Sequence, residues 1–283
     1  MSGNRLIAAA VGGFAAAGAA RYAYSVLRRT PPGGDKLWAR TNHRGEPVTL
    51  LEGPAVAAGA VVAALGAHPA IAVAGVGAAA FGAYDDLAGS GDRRGFRGHV
   101  GALMQGEVTT GAVKLGGIGA TGLLSALMVG GGPVDVAVNT GLIAGGANLL
   151  NLFDLRPGRA IKVAVASGAL LSLTSPAAAE SAAPAVGAAL ALLPEDLGER
   201  AMLGDSGANV LGAMLGTAAA VSLPRSARLV VLAGIAGLTA ASEKVSFTKV
   251  IERTPALHWL DMLGRRPAAA PVPKIPVPAT PEE

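Results

Sequence analysis

The chain has 283 residues, 51% of them hydrophobic and only 15% charged, with 41 glycines and no cysteine. A soluble domain carries about 25% charged residues, so a mean hydropathy of +0.48 points to lipid as the solvent. The missing cysteine excludes disulfides, thiolate nucleophiles and cysteine-ligated zinc, and the net charge of +4 matters less than where the charges lie.

A helix needs about 17–25 apolar residues to cross a bilayer. Nine segments approach that length, at roughly 5–27, 53–67, 69–85, 111–130, 134–152, 160–175, 180–194, 207–223 and 227–242. The predicted fold class is therefore all-α, a polytopic membrane bundle of about nine transmembrane helices forming one domain over 1–266. The first segment reads as a retained helix, because its apolar region is longer than that of a signal peptide and further spans follow. The abundant Gly and Ala either reflect base composition or let helix backbones approach closely in lipid. From 267 to 283, PAAAPVPKIPVPATPEE reads as an extended or disordered cytoplasmic tail.

Of the 23 Lys and Arg, all but Arg5, Arg225 and Arg228 fall in or beside the segments 22–44, 93–114, 156–162, 200 and 244–274. These are alternate loops of a nine-span chain. The positive-inside rule puts them in the cytoplasm, with the N-terminus outside and the C-terminus inside a plasma membrane.

The acids concentrate on the same face. Asp85 and Asp86 end the third segment; Asn148, Asn151 and Asp154 end the fifth; Asp205 opens the eighth; Glu252, His258 and Asp261 follow the ninth. A lone carboxylate at a helix end has an ordinary place in the interface. Two adjacent ones repel unless a cation or a proton relieves them, and Mg2+ accepts one or two carboxylates together with substrate phosphates. Asn148, Asn151 and Asp154, spaced by three, form a slowly winding polar stripe, fit either for helix packing or for a site. GDSG at 204–207 copies a serine-protease loop, but its surroundings are membrane helix, and Asp205 with Ser206 suits a helix N-cap or a metal. An ion-coupled transporter would place acids at mid-membrane, whereas these gather at one face.

With these motifs in order, the chain resembles the membrane glycosyltransferase family 4, the polyprenyl-phosphate N-acetylhexosamine-1-phosphate transferases, which include phospho-N-acetylmuramoyl-pentapeptide transferase. The resemblance runs from about Arg40 to His258 through RTNHRGEPVTLLEG (40–53), YDDLAGS with GFRGHVGAL (84–103), NLLNLFDLRPGRA (148–160) and GDSGANVLG (204–212). The third motif departs from the family's N-x-x-N-L-x-D-G-x-D-G, with Leu155 for its first glycine and Pro157 for its second aspartate. RTPALHW (253–259) keeps one histidine, His258, where the family often has several. Many members also end in a tenth span that has no counterpart here.

The resemblance implies transfer of a sugar-1-phosphate from a UDP-sugar to a polyprenyl phosphate, releasing UMP, at an active site on the cytoplasmic face. It implies Mg2+, with Mn2+ as an alternative, held by Asp205 and Asp86, and Asp85, Asp86 and Asp205 as the catalytic group. Asn148, Asn151 and Asp154 would contact the nucleotide sugar, and Arg94, Arg97, His99 and His258 the phosphates. The expected partners are polyprenyl phosphate, the UDP-sugar and the bilayer; a homodimer is compatible and no nucleic acid is expected. The rival expectation is a non-catalytic relative that binds a lipid phosphate or acts as a scaffold.

Overall fold

A computed structural model describes residues 2–89 and 109–267. The molecule is a helical membrane protein: α1 (Ser2–Arg29), a short α2 (Asp35–Trp38), α3 (Glu52–Ala64), α4 (Pro69–Ala88), α5 (Thr110–Val129), α6 (Pro133–Phe153), α7 (Arg159–Ser172), α8 (Pro176–Leu197), α9 (Gly204–Ser222), α10 (Arg225–Ser242), α11 (Phe247–Arg253) and α12 (Pro255–Met262). Among the described residues, nine of these helices overlap the nine apolar segments. Five of them, α1, α4, α5, α6 and α8, are long and apolar enough to cross a bilayer, and α10 with α11 would make a sixth if that bent pair is one span. The expected count of nine crossings is thus not established. Helices α3 and α7 are short, at 13 and 14 residues, and α9 opens on the polar run Gly204–Asn209.

Local chemistry sets the helix starts. The Nδ1 of His68 accepts the amide N–H of Ala70 ahead of α4, and the hydroxyls of Thr109 and Ser175 accept those of Ala112 and Ala178 ahead of α5 and α8. Pro69, Pro133 and Pro176 stand in the first turns of α4, α6 and α8, where a missing N–H costs nothing.

The centre of the bundle is α9. From Ser206 to Ala220 every residue is buried, and the helix packs against α3, α4, α5, α6, α7 and α8. Its Gly–Ala sequence permits this, since only small side chains let backbones approach on all sides. The outer surface is the reverse: Phe14 is 81% exposed, Leu173 83% and Val230 72%. Exposed apolar surface of that extent suits lipid rather than water.

At one end of the bundle the ends of α4, α6 and α8 meet the starts of α5, α9 and α7: Asp85 reaches Lys114, Asp154 accepts from the Gly204 N–H, and Asp196 accepts from the Gly158 N–H, while Gly53 of α3 closes on Leu203. A two-stranded antiparallel hairpin, β1 (Ala39–Thr41) and β2 (Pro47–Thr49), covers part of that end. It is an addition to the all-α expectation. Its far edge is tied to the strand-like approach to α9: Thr49 bridges Ala201, and the Met202 N–H donates to the Thr49 carbonyl at 2.9 Å.

Candidate functional site: a carboxylate cluster at one end of the bundle

Asp85 and Asp86 lie on the last turn of α4, and Asp205 on the first turn of α9. The two helices touch along their length. Gly82 permits this closeness, because a Cβ there would fall 2.6 Å from the Asp205 carbonyl oxygen. The three aspartates thereby converge, as a shared site requires.

Their side chains have different engagements. Both oxygens of Asp86 accept backbone N–H groups, from Asp205 and from Ser206, each at 2.9 Å. Asp86 therefore caps α9 from a neighbouring helix, satisfying donors that the first turn cannot. Gly204 is fitted to this contact. Its φ is +62°, and a Cβ would stand 3.0 Å from both Asp86 oxygens. Arg40, on β1, donates to the Asp86 carbonyl at 2.5 Å.

Asp85 and Asp205 instead face a shared cation. The Nζ of Lys114, one turn into α5, lies 2.7 Å from an oxygen of Asp85 and 2.5 Å from one of Asp205. Sequence reasoning missed Lys114. Its signal was a solitary lysine in the first turn of an otherwise apolar helix.

Asp154 follows the last residue of α6. By surface exposure it is half-buried. Burial, then the nearby carboxylates of Asp196, Asp205 and Asp86, push its carboxyl well above the usual range, against one backbone N–H from Gly204. It lines a cavity of about 200 Å³ with Asn42, His43, Arg156, Asp196 and Glu199. In that wall the N–H of Gly158 donates to Asp196 at 3.0 Å, and Arg44 and Asn42 each hold Glu199 at 2.9 Å. Asp196 and Glu199 were also missed, although LPEDLGER just ahead of GDSG is the most acidic stretch of the chain's second half.

Asn148 and Asn151 are half-buried on the last turns of α6. His258 is exposed on α12, and its side chain forms no hydrogen bond or ion pair with the described residues. Arg94, Arg97 and His99 lie outside the described residues.

The donor set suits a hard divalent ion in part. Among the described residues, no three His, Cys, Asp or Glu side chains are grouped to hold a metal. Two carboxylates do face one point, that of Asp85 and that of Asp205, and a positive nitrogen sits between them. Two such ligands match the habit of Mg2+, which takes one or two carboxylates and completes its shell with phosphates and water. Asp86 is already committed to α9, so the geometry favours Asp85 over Asp86 as the partner of Asp205.

No protein-family model matches the chain, and no curated protein matches it.

Proposed function

We propose that the protein transfers a sugar-1-phosphate from a UDP-sugar to a polyprenyl phosphate at the membrane surface. The supporting observation is the convergence of Asp85 and Asp205, from helices far apart in sequence, on one cationic point at one end of a membrane bundle. Among the described residues, Arg40, Arg44, Lys114, Arg159, Lys162 and Arg200 make their contacts at that end, an excess of basic residues that the positive-inside rule would assign to the cytoplasm.

A non-bridging oxygen of the polyprenyl phosphate attacks the sugar-bearing phosphorus of the UDP-sugar. The bond from that phosphorus to the oxygen bridging it to the uridine-bearing phosphate breaks, and UMP departs with the electron pair. The nucleophile needs no base, since a phosphate monoester has a second pKa of about 6 and is mostly dianionic at neutrality. The task is to hold two anions together. Mg2+, when bound, supplies charge neutralisation at the diphosphate. Asp85 and Asp205 would hold it, and the ammonium of Lys114 stays beside them as a donor to phosphate oxygens. Asp86 keeps Asp205 in place by fixing the first turn of α9. Asn148, Asn151 and Asp154 orient the nucleotide sugar, with Arg94, Arg97, His99 and His258 as phosphate contacts. Rate then comes from positioning and electrostatics.

A non-catalytic lipid-phosphate binder is the second reading, favoured by one observation: Lys114 already occupies the point between Asp85 and Asp205. The purified chain, incubated with polyprenyl phosphate, Mg2+ and a panel of UDP-sugars, separates the two. UMP release with a lipid-linked product is the expected result. Retained polyprenyl-phosphate binding with no UMP from any donor would leave the second reading standing.

A further inference from the structure

The structure also carries an inference that does not depend on the transfer reaction. We propose that α11 and α12 form an interfacial element, seated in the headgroup layer of a phospholipid bilayer with Trp259 at its apolar edge.

The bend comes first. Across the short break after Ser242, α11 turns 95° from α10. α10 runs beside α6, a membrane-length helix, so a right-angle turn at its end lays the following chain along the membrane plane. That chain is then pinned to the end of the bundle by one side only. Phe247 stacks on Phe153 with ring centroids 5.0 Å apart. Arg159 donates to the Thr248 hydroxyl at 2.9 Å and to Asp261 at 2.7 Å. Lys162 donates to the Leu260 and Asp261 carbonyls at 3.0 and 2.7 Å.

Among the described residues, none covers the other side. Val245, Val250, Leu257, Trp259, Leu260 and Leu263 are all exposed, Trp259 at 64%. Exposed apolar side chains in this number are unfavourable in water. Three cations flank them. Lys244, Lys249 and Arg253 are exposed and form no ion pair with the described residues. Two acids, Glu243 and Glu252, are exposed among them and temper the charge, so apolar insertion is the main attraction and the cations meet headgroup phosphates. Apolar and aromatic residues on one face with basic residues beside them are the pattern of a helix lying in the interface, and tryptophan prefers that depth.

The test uses the full chain in nanodiscs. Its two tryptophans are distinguishable, because Trp38 is only 7% exposed and donates to the Pro32 carbonyl. The emission lost in Trp259→Phe is that of Trp259. Lipids brominated near the headgroup should quench it more strongly than lipids brominated deep in the chain, and aqueous iodide should quench it little. Strong iodide quenching without bromine quenching would overturn the proposal, as would stronger quenching by the deep bromines. Protection from both quenchers that vanishes on dilution to monomer would overturn it in favour of a second copy on this face. As the chain has no cysteine, a nitroxide at Leu260→Cys gives an independent reading. Its relaxation should respond to oxygen more than to a water-soluble nickel complex, and the reverse would refute the placement.

Discussion

The two ends of the bundle differ in how some of their acids are matched. At the end away from the carboxylate cluster, Asp135 receives Arg225 on both oxygens, Arg228 at 3.0 Å and the Gly132 N–H at 3.3 Å. Arg228 also donates to Asn139 at 2.6 Å, and Arg5 meets Glu180 at 3.5 Å. The three arginines that depart from the positive-inside pattern are thus each matched to an acid. At the other end, Asp85 and Asp205 share a single lysine, and Asp154 and Asp196 stand close together in the cavity wall. Matched charges hold helices together. Under-neutralised carboxylates that a fold nevertheless keeps together are a common feature of functional sites.

Replacing residues at the two ends should separate these roles. The largest effect is expected for Asp205→Asn and Asp85→Asn. Each should lower UMP release at least about a hundredfold, the scale of removing one electrostatic contact to the reacting phosphates, with an unchanged elution profile in detergent. Wild-type turnover in Asp205→Asn would remove that residue from the site.

Asp86→Ala should act on both activity and fold. It uncaps α9, a loss of about 1–2 kcal/mol, and lets Asp205 move. A thermal midpoint equal to wild type would show that the cap contributes nothing. Arg228→Ala probes the opposite end. It should lower the midpoint by about 2–4 °C while leaving the KM for the UDP-sugar as it is, and a changed KM would break the division between the two ends.

The smallest expected effect is a gain. Asp154 has a raised pKa in the folded chain. At low pH it is protonated in both states and costs nothing. As pH rises past about 4 the unfolded carboxyl ionises first, so folding loses stability until the folded pKa is passed. Asp154→Asn should therefore raise the thermal midpoint at pH 8 and leave it unchanged near pH 4. An equal midpoint at both pH values would show that Asp154 is not held neutral.

The contrast also explains what could be read from the chain alone. Apolar runs near membrane length fix where helices lie, so the helix positions were legible. The number of crossings was not, because α3 and α7 are short and α9 opens polar, and hydropathy does not say how deep such helices sit. Asp85, Asp86 and Asp205 were legible as a group because paired acids at the ends of greasy helices are costly without a partner. Their separate engagements were not, since the capping of α9 by Asp86 spans 119 residues of sequence. Lys114 looks like one more basic residue of an inner loop until α5 lies beside α4. The hairpin at 39–49 was hidden in a stretch read for its motif rather than its alternation.

The central claim is that Asp85 and Asp205 form the protein's half of a divalent-ion site completed by phosphate. Mn2+ binding followed by electron paramagnetic resonance tests it without knowledge of the sugar, since UMP is common to every donor of this class. With UMP present, one Mn2+ should bind per chain, and binding should vanish in the Asp85→Asn, Asp205→Asn double variant. Equal Mn2+ binding by the two proteins, or none by the wild type, would contradict the account.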